Sequence, residues 1–167
     1  MKPFRFCPAC SASLEDPDPE GGAACGSCGR SWYRNMAPTA GAAIVKAGRA
    51  LVTVRARDPE KGRLDVPGGF LGPDEHPVDG LKREVREELG IEIETEMADC
   101  VSMVPHRYGD EGDMVLALGF KARWVSGDPE PADDVAEILW LEKGELADAD
   151  FAWPHDRELL RRALEDG

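Results

Sequence analysis

The stretch GFLGPDEHPVDGLKREVREELGI, residues 69–91, carries the pattern that decides the fold. A helix is predicted to begin near Pro77, because proline is tolerated at the first helical position, and to end at Gly90, which suits a left-handed cap. Apolar residues at about 100° per residue give this helix one buried face: Val78, Leu81, Val85 and Leu89. Residues 67–69 are Pro-Gly-Gly, so the backbone before the helix can approach a ligand closely.

Three glutamates follow helical spacing in the same stretch. Glu84, Glu87 and Glu88 stand at i, i+3 and i+4, which places their carboxylates on one side of the helix. Hard cations such as Mg²⁺ or Mn²⁺ prefer oxygen ligands and would neutralise this charge. The alternative is a solvated acidic face paired with the basic residues of the helix, Lys82, Arg83 and Arg86. The glycine loop directly before the helix favours the metal site.

Composition narrows the class of protein. The 167 residues suit one domain of ordinary size with a small additional module. The chain has 33 acidic and 20 basic residues, a net charge of -13, which argues against binding to the nucleic-acid backbone or to an anionic membrane. No apolar run is long enough to cross a bilayer, and the opening MKPFRF has no apolar core of a secretory signal. We therefore expect a soluble cytoplasmic protein.

Four of the five cysteines form two C-x-x-C pairs, Cys7 with Cys10 and Cys25 with Cys28. In a reducing compartment this pattern indicates metal rather than disulfides. Four thiolates complete the tetrahedral shell of Zn²⁺ and leave no position open for water, so the zinc is predicted to be structural. A redox pair or unrelated thiols are the alternatives. Residues 1–34 are thus interpreted as a zinc ribbon, and residues 35–167 as the main domain.

The main domain mixes strands and helices. Strands are predicted at residues 42–47, 50–56, 64–66, 91–96, 99–105, 114–125 and 136–141. A last helix is predicted at residues 156–164, with leucines on its buried face. The expected fold class is α/β, with a sheet flanked by helices.

The central stretch resembles the Nudix box of the Nudix hydrolases. Gly69 is followed after five residues by Glu75, and after seven more by Arg83-Glu84-Val85, one residue, Glu87-Glu88, one residue and Gly90-Ile91. The resemblance implies an α/β/α sandwich with a mixed sheet over residues 38–165. It also implies that Glu84, Glu87 and Glu88 are side-chain ligands of Mg²⁺ or Mn²⁺, that the Gly68 carbonyl adds a main-chain ligand, and that Glu75 pairs with Arg83 to orient the helix.

The reaction implied by this resemblance is hydrolysis of the diphosphate linkage in a nucleoside diphosphate derivative, which gives two monophosphates. Divalent cations would bridge phosphate oxygens and lower the pKa of a water molecule. Glu84 is the first choice for the general base. Acidic residues on later loops are the second choice: Asp110, Glu111, Asp113, Asp133 and Asp134.

The substrate is less clearly indicated. A zinc ribbon before such a domain resembles the NADH pyrophosphatase group and related enzymes that act on dinucleotides such as FAD. That group carries a Ser-Gln-Pro-Trp-Pro-Phe-Pro signature, whereas residues 104–109 here are VPHRYG. This departure leaves a nucleoside diphosphate derivative as the class, for example NADH, FAD or ADP-ribose.

Three residues are candidates for substrate binding: Arg107 for a phosphate, and Tyr108 or Phe70 for stacking on a base. Trp153 is predicted to be a packing residue, and His106 and His155 are predicted to be solvated or hydrogen-bonded. A homodimer is plausible by resemblance to zinc-ribbon Nudix enzymes. The alternative function is a catalytically silent ligand sensor that uses the ribbon to bind a partner.

Overall fold

The computed structural model describes residues 4–109 and 112–165. Strands β1 to β10 cover Gly22–Ala24, Ser31–Tyr33, Ala37–Lys46, Arg49–Arg55, Leu64–Asp65, Gly68–Phe70, Glu92–Glu94, Cys100–Arg107, Met114–Ser126 and Val135–Glu142. Helices α1 and α2 cover Pro77–Leu89 and Pro154–Glu165, and 3-10 turns cover Met97–Asp99 and Glu145–Ala147. The chain divides into two units, Met1–Met36 and Ala37–Gly167. Within the described residues, none of the helices is both long and apolar enough to span a membrane.

The larger unit is built on one mixed sheet. Its strands are ordered β10-β4-β3-β9-β7, with β5 paired to β4, β6 to β3 and β8 to β9. The pairing of β3 with β9 is parallel, and the other pairs are antiparallel. The predicted α/β class with a mixed sheet is therefore confirmed.

Two apolar clusters cover the two faces of the sheet. One cluster includes Leu81, Val85 and Leu89 of α1, packed with Phe120 of β9. The other cluster includes Leu159 and Leu160 of α2. Burial of apolar surface on both faces is the main term that stabilises such a layered arrangement. The three layers form the α/β/α sandwich that the sequence predicted.

The central helix has the ends that its sequence predicts. Pro77 is its first residue, and the His76 side chain accepts a hydrogen bond from the amide of Val78 at 3.4 Å. Gly90 adopts a left-handed conformation, with φ of 67°, and its amide donates to the carbonyl of Arg86. A residue with a Cβ atom would be strained in this conformation. The helix therefore includes Glu84, Glu87 and Glu88, as their spacing requires.

A split in the sheet creates the space for a site. Strands β3 and β4 pair only at Val45 with Ala50 and at Lys46 with Arg49. Farther along, β3 pairs instead with β6, where Gly41 lies opposite Gly68. A Cβ atom on Gly68 would lie 2.1 Å from the Ala40 carbonyl oxygen, so only glycine permits this close approach. The strand that precedes α1 is thereby held against the middle of the sheet.

The loop at residues 127–134 is fixed to the end of α1. The amides of Glu130 and Ala132 donate to the carbonyls of Leu89 and Glu88 at 3.1 and 2.9 Å. These carbonyls have no partner inside the helix, because the last turn of a helix leaves its carbonyls free. The contact places the loop beside the face of α1 that carries the glutamates.

The smaller unit is organised by its cysteines. Two turns repeat one hydrogen-bond pattern: the amide of Ser11 donates to the Cys7 carbonyl, and that of Gly29 to the Cys25 carbonyl, both at 2.8 Å. Both residues have positive φ, 60° and 72°. The strands β1 and β2 pair behind them, from Gly22 opposite Tyr33 to Ala24 opposite Ser31.

Candidate active site

A cavity of about 230 Å³ lies in the larger unit. Its lining residues include three groups that carry chemistry. The acidic group consists of Glu84, Glu88, Asp133 and Asp134. The aromatic group consists of Phe70, His106, Tyr108, Trp153 and His155. The carboxyl pair consists of Asp65 and Asp156, with Arg55 beside it.

Glu88 is the most buried member of the acidic group, with 5% of its surface exposed. Its Oε2 accepts a hydrogen bond from the amide of Gly68 at 2.8 Å. Burial raises the pKa of this carboxyl well above its usual range; the Gly68 amide opposes the shift, and the charges of Asp134, Asp65 and Glu84 add to it. Among the described residues, no basic side chain forms an ion pair with Glu88, so a carboxylate in this position lacks a compensating cation.

Arg83 on α1 donates hydrogen bonds to three carboxylates and one main-chain carbonyl. Its Nε and Nη2 contact the two carboxylate oxygens of Glu75 at 2.8 and 2.9 Å. Its Nη1 contacts Glu84 at 2.8 Å and Glu87 at 2.9 Å, and its Nη2 also donates to the Phe70 carbonyl at 3.3 Å. These hydrogen bonds lower the pKa of Glu75 to about 2, with a further contribution from the Gly72 amide. The predicted pairing of Glu75 with Arg83 is present.

Glu84 lies directly against the glycine loop. A Cβ atom on Gly69 would be 2.6 Å from its carboxyl carbon, so glycine leaves the space that this carboxylate fills. Burial raises the pKa of Glu84, and the hydrogen bond and charge of Arg83 oppose the shift. Glu87 is different, because 51% of its side chain is exposed and it does not line the cavity.

Two loop carboxylates complete the acidic group. The charge of Asp134 contributes to the raised pKa of both Glu84 and Glu88, which places it electrostatically close to them. Its neighbour Asp133 has positive φ, 49°, and accepts a hydrogen bond from Arg57 at 3.0 Å. The loop is thus held from both sides, by Arg57 and by the end of α1.

The aromatic group forms a continuous set of ring contacts. Trp153 is stacked with Tyr108, with ring centroids 5.5 Å apart and planes at 28°. Phe70 meets the edge of Tyr108 at 5.2 Å, and His106 lies 4.9 Å from Trp153 and 4.5 Å from His155. Burial, with the charge of His106, lowers the pKa of His155 to about 4. His155 is therefore neutral near pH 7, and the group offers flat apolar surfaces of the kind on which bases stack.

The carboxyl pair lies among the same rings. Asp65 accepts from Arg55 Nη1 at 2.6 Å, from the Trp153 indole at 3.3 Å and from the Val66 amide at 2.9 Å. Burial raises the pKa of Asp156 well above the usual range, and the charge of Asp65 increases it further. Arg55 also donates to the Tyr108 hydroxyl at 3.3 Å, so it joins the carboxyl pair to the aromatic group.

The four cysteines of the smaller unit also come together. The sulfur atoms of Cys7, Cys10, Cys25 and Cys28 lie within 4.8 Å of one another, and the Trp32 indole donates to the sulfur of Cys7 at 3.3 Å. These sulfurs could hold one metal ion. In residues 4–109 and 112–165, the box glutamates do not meet as a comparable group of ligand atoms.

The comparison with known proteins agrees with this geometry. A family model described as the NUDIX domain matches residues 36–163. The chain belongs to the Nudix family. Helix α1 with its glycine loop is thus the Nudix box of this chain, and the predicted family is confirmed. The chain is a Nudix pyrophosphohydrolase.

The names of its relatives describe different activities. The "Putative 8-oxo-dGTP diphosphatase 2" of Mycobacterium tuberculosis is 36% identical over 119 residues, which cover 69% of this chain and 79% of that protein. The NAD-capped RNA hydrolase NudC of Chromobacterium violaceum is 28% identical over 162 residues, which cover 96% of this chain. The chain spans 58% of the length of that second relative.

Solved structures show the same fold. The crystal structure of a NUDIX hydrolase from Nitrosomonas europaea superposes with a TM-score of 0.78 at 23% identity. The match covers 98% of this chain and 92% of that one. The Nudix α/β/α sandwich predicted from the sequence is therefore confirmed.

Two of the three predicted substrate-binding residues line the Nudix cavity. Phe70 and Tyr108 line the cavity, whereas Arg107 does not and is exposed. Side chains alternate along a strand, so His106 and Tyr108 face the cavity while Arg107 points to the other side. Of the loop acids, Asp133 and Asp134 line the cavity and Asp113 does not. Asp110 and Glu111 lie outside the described residues.

Several lining residues of the Nudix site were not singled out from the sequence. Trp153 was predicted to be a packing residue, and His106 and His155 to be solvated or hydrogen-bonded, yet all three line the cavity. Asp65 and Asp156 carried no prediction. A signal for Asp65 exists in hindsight, because an aspartate between Leu64 and Val66 interrupts an apolar strand directly before Pro-Gly-Gly. Such a charge inside a strand needs a partner.

Proposed function

We propose that this Nudix pyrophosphohydrolase cleaves the diphosphate linkage of a nucleoside diphosphate derivative with Mg²⁺ or Mn²⁺ bound at Glu84, Glu87, Glu88 and the Gly68 carbonyl. The observation that carries the proposal is Glu88, a buried carboxyl that lies close to the charges of Glu84 and Asp134 and forms no ion pair with a basic side chain among the described residues. Hard divalent cations match an all-oxygen donor set of this kind. The residues present therefore fit the metal that the family implies.

A bound divalent cation would supply the positive charge that draws a diphosphate into an acidic cavity and would lower the pKa of an attacking water. The other steps belong to residues of the chain. Arg83 holds Glu84 and Glu87 in place and is itself oriented by Glu75. Arg83 occupies one oxygen of each glutamate, so the second oxygen of each remains for a cation. Arg83 thus positions the site in the absence of substrate.

Glu84 is our first choice for the general base. It lies against Gly69 and lines the cavity, and burial raises its pKa toward the range in which a carboxylate can accept a proton efficiently. Asp134 is the second choice, because its charge acts on Glu84 and Glu88 and its loop is fixed to α1. The variants Glu84→Gln and Asp134→Asn distinguish the two candidates. Only the variant that lacks the general base should show an altered acid limb in its pH–rate profile.

The aromatic group supports a base-binding role for the second part of the cavity. Trp153, Tyr108 and Phe70 provide ring surfaces in the same cavity as the acidic group. At about 230 Å³, the cavity is smaller than the roughly 300–1,000 Å³ typical of ligand sites. We therefore propose a substrate with one base inside the cavity: a dinucleotide such as NADH or FAD with its second half outside, ADP-ribose, or a nucleoside triphosphate.

A screen tests the reaction and its substrate class. NADH, FAD, ADP-ribose, diadenosine polyphosphates, nucleotide sugars and nucleoside triphosphates are incubated with Mg²⁺ or Mn²⁺, and products are separated by chromatography. An RNA carrying a 5′-NAD cap is included because of the NudC relatives. Cleavage of a diphosphate linkage that requires the divalent cation supports the proposal. The proposal is wrong if the whole panel remains intact with both metals.

For the smaller unit we propose one structural Zn²⁺ held by Cys7, Cys10, Cys25 and Cys28. The convergence of four sulfurs on two matching turns supports a closed tetrahedral site. The indole of Trp32 donates to one of these sulfurs, as groups around a metal site commonly do.

A further inference from the structure

Trp124 lies near the end of β9 and does not line the cavity. Its indole Nε1 donates hydrogen bonds to the carbonyls of Ser126 and Gly127, at 3.1 and 3.2 Å. The indole is itself held: its ring is stacked with that of Trp140, with ring centroids 6.0 Å apart and planes at 19°, and the Lys46 ammonium lies 3.6 Å from its centroid. The N–H of Trp124 therefore ties the first residues of the loop after β9 to a fixed ring.

Gly127 is the next fixed point of this loop. It has a φ of 92°, a conformation that strains any residue with a Cβ atom. A Cβ atom here would also lie 2.7 Å from the Gly90 carbonyl oxygen and 3.0 Å from the Ile91 Cα. Both are backbone atoms, which cannot turn aside as the end of a side chain can. Only glycine thus lets the loop turn directly against the residues that follow α1.

The part of the loop that follows this glycine alternates proline with a hydrogen-bond donor. Residues 128–134 are DPEPADD. Pro129 and Pro131 have no amide hydrogen and a restricted φ. Glu130 and Ala132, which follow them, donate their amides to the carbonyls of the last two residues of α1, at 3.1 and 2.9 Å. The prolines reduce the number of conformations open to a loosened loop, so the two donors remain directed at the helix.

The loop meets the proposed metal site through Glu88. The carbonyl of Glu88 accepts the Ala132 amide, and its carboxylate accepts the Gly68 amide at 2.8 Å. Asp134, which comes shortly after Ala132, lines the cavity, and its carbonyl accepts the Ala56 amide at 2.7 Å. The position of Asp134 relative to Glu88 is therefore set by the loop, whose start is tied to the indole.

We propose that Trp124 is a positioning residue for this hydrolase: its indole N–H anchors the loop that holds Asp134 beside Glu88. The inference rests on the proposed function, because Glu88 and Asp134 belong to the site at which the cation is proposed to bind. Without the anchor the fold persists, but the start of the loop is free to move and carries Asp134 with it. A displacement of about 1 Å at a reacting group can cost about 100-fold in rate, so even a modest loosening is measurable.

Hydrogen exchange tests the anchor without turnover. Trp124→Phe keeps an aromatic ring and removes the N–H, and Trp140→Phe is the matched control, because it changes the stacked partner in the same way. We expect the amides of Glu130 and Ala132 to exchange about 5-fold faster in Trp124→Phe than in the wild type, since loss of one hydrogen bond corresponds to a factor of about 2 to 13. In Trp140→Phe the rates should stay within about 2-fold of the wild type. Equal rates in the two variants overturn the inference.

Mg²⁺ binding and kinetics show whether the anchor acts on the site. Calorimetry with Mg²⁺ alone should give a Kd about 3-fold higher in Trp124→Phe and unchanged in Trp140→Phe. On the best substrate of the panel, kcat at saturating Mg²⁺ should fall about 5-fold in Trp124→Phe, while the substrate KM stays within about 2-fold, because the aromatic group is not altered. A purely structural role would lower the melting temperature and leave the Mg²⁺ Kd unchanged, and that result also overturns the inference.

A double-variant cycle tests the route through Gly127. Gly127→Ala displaces the loop at its second fixed point, so kcat should fall at least as far as in Trp124→Phe. Because both changes release the same loop, the double variant should lose little more than Gly127→Ala alone, whereas independent sites would multiply their losses. Multiplied losses overturn the shared route. Pro131→Ala, which loosens the same loop, replaces Gly127→Ala in the cycle if that variant does not fold.

The two proposals fail in different ways. If Trp124→Phe accelerates exchange and weakens Mg²⁺ binding but no diphosphate in the panel is hydrolysed, the proposed function is wrong and the role of Trp124 stands. If diphosphates are hydrolysed but Trp124→Phe matches Trp140→Phe in exchange and in Mg²⁺ binding, the role of Trp124 is wrong and the proposed function stands.

Discussion

Substitution of Gly69 by alanine tests whether the space beside Glu84 is required for catalysis. The added Cβ would lie 2.6 Å from the Glu84 carboxyl carbon and 2.7 and 2.8 Å from its two oxygens. To restore ordinary contact at 3.4 Å, the carboxylate must retreat by about 0.8 Å. It is the flexible end of a side chain, so the fold can accommodate the change, but the metal-binding oxygens are displaced.

A displacement of this size is large for catalysis and small for stability. Misplacement of a reacting group by about 1 Å can cost 100-fold in rate, so we expect kcat/KM to fall by about 30- to 100-fold in Gly69→Ala. The melting temperature should change by no more than a few degrees, because the clash involves no backbone atom and Gly69 has no positive φ that would strain an alanine. The matched control is Gly72→Ala, whose Cβ would meet Glu75 at an ordinary 3.5 Å.

The assay measures kcat/KM on the best substrate of the panel over a range of Mg²⁺ concentrations. A displaced ligand should raise the Mg²⁺ concentration needed for half-maximal rate in Gly69→Ala and leave it unchanged in Gly72→Ala. Wild-type kcat/KM and an unaltered Mg²⁺ requirement in Gly69→Ala would refute the role assigned to Glu84. Equal losses in both variants would show that the loop as a whole, and not the Glu84 contact, is sensitive.

Three further predictions concern Glu88, Glu75 and the four cysteines of the smaller unit. Glu88→Gln, which keeps the shape of the side chain, should abolish most Mg²⁺-dependent turnover with little change in the circular dichroism spectrum; undiminished hydrolysis would contradict the metal assignment. Glu75 has a pKa of about 2 in the folded chain, below its ordinary 4.5, so its stabilising effect is present above pH 4.5 and is lost as the pH falls toward 2. The difference in urea midpoint between wild type and Glu75→Gln should therefore shrink over that range, and a constant difference would count against the Arg83 pairing. Metal analysis of freshly purified protein should find about one zinc per chain, and a zinc-free protein that keeps its N-terminal fold would exclude the structural site.

The sequence predicted best what is local. The ends of α1 at Pro77 and Gly90 follow from one proline and one glycine, and the burial of Leu81 and Val85 follows from helical periodicity. The fold class followed from the alternation of strand and helix patterns. The strand at Met114–Ser126 was predicted to within one residue, because its apolar run is long and continuous.

The sequence predicted least where distant segments meet. Arg107 was chosen for its charge, but strand alternation turns it away from the cavity and turns His106 toward it. Which face of a strand meets a site depends on its register with neighbours, here β8 against β9, and no local pattern states this. Asp65 and Asp156 lie on different elements, β5 and α2, so no local pattern predicts that both line one cavity.

The cavity buries carboxylates in two chemically different ways, one in the acidic group and one in the carboxyl pair. Glu84 pairs with Arg83, but Glu88 forms no ion pair with a basic side chain among the described residues, so a divalent cation is the natural counter-charge. Asp65 already has the guanidinium of Arg55 at 2.6 Å, so it needs no metal ion as counter-charge. Removal of divalent metal with a chelator should therefore abolish hydrolysis, and addition of Mg²⁺ should restore it. Hydrolysis that persists without divalent metal would mean that Glu84 and Glu88 do not hold a catalytic cation.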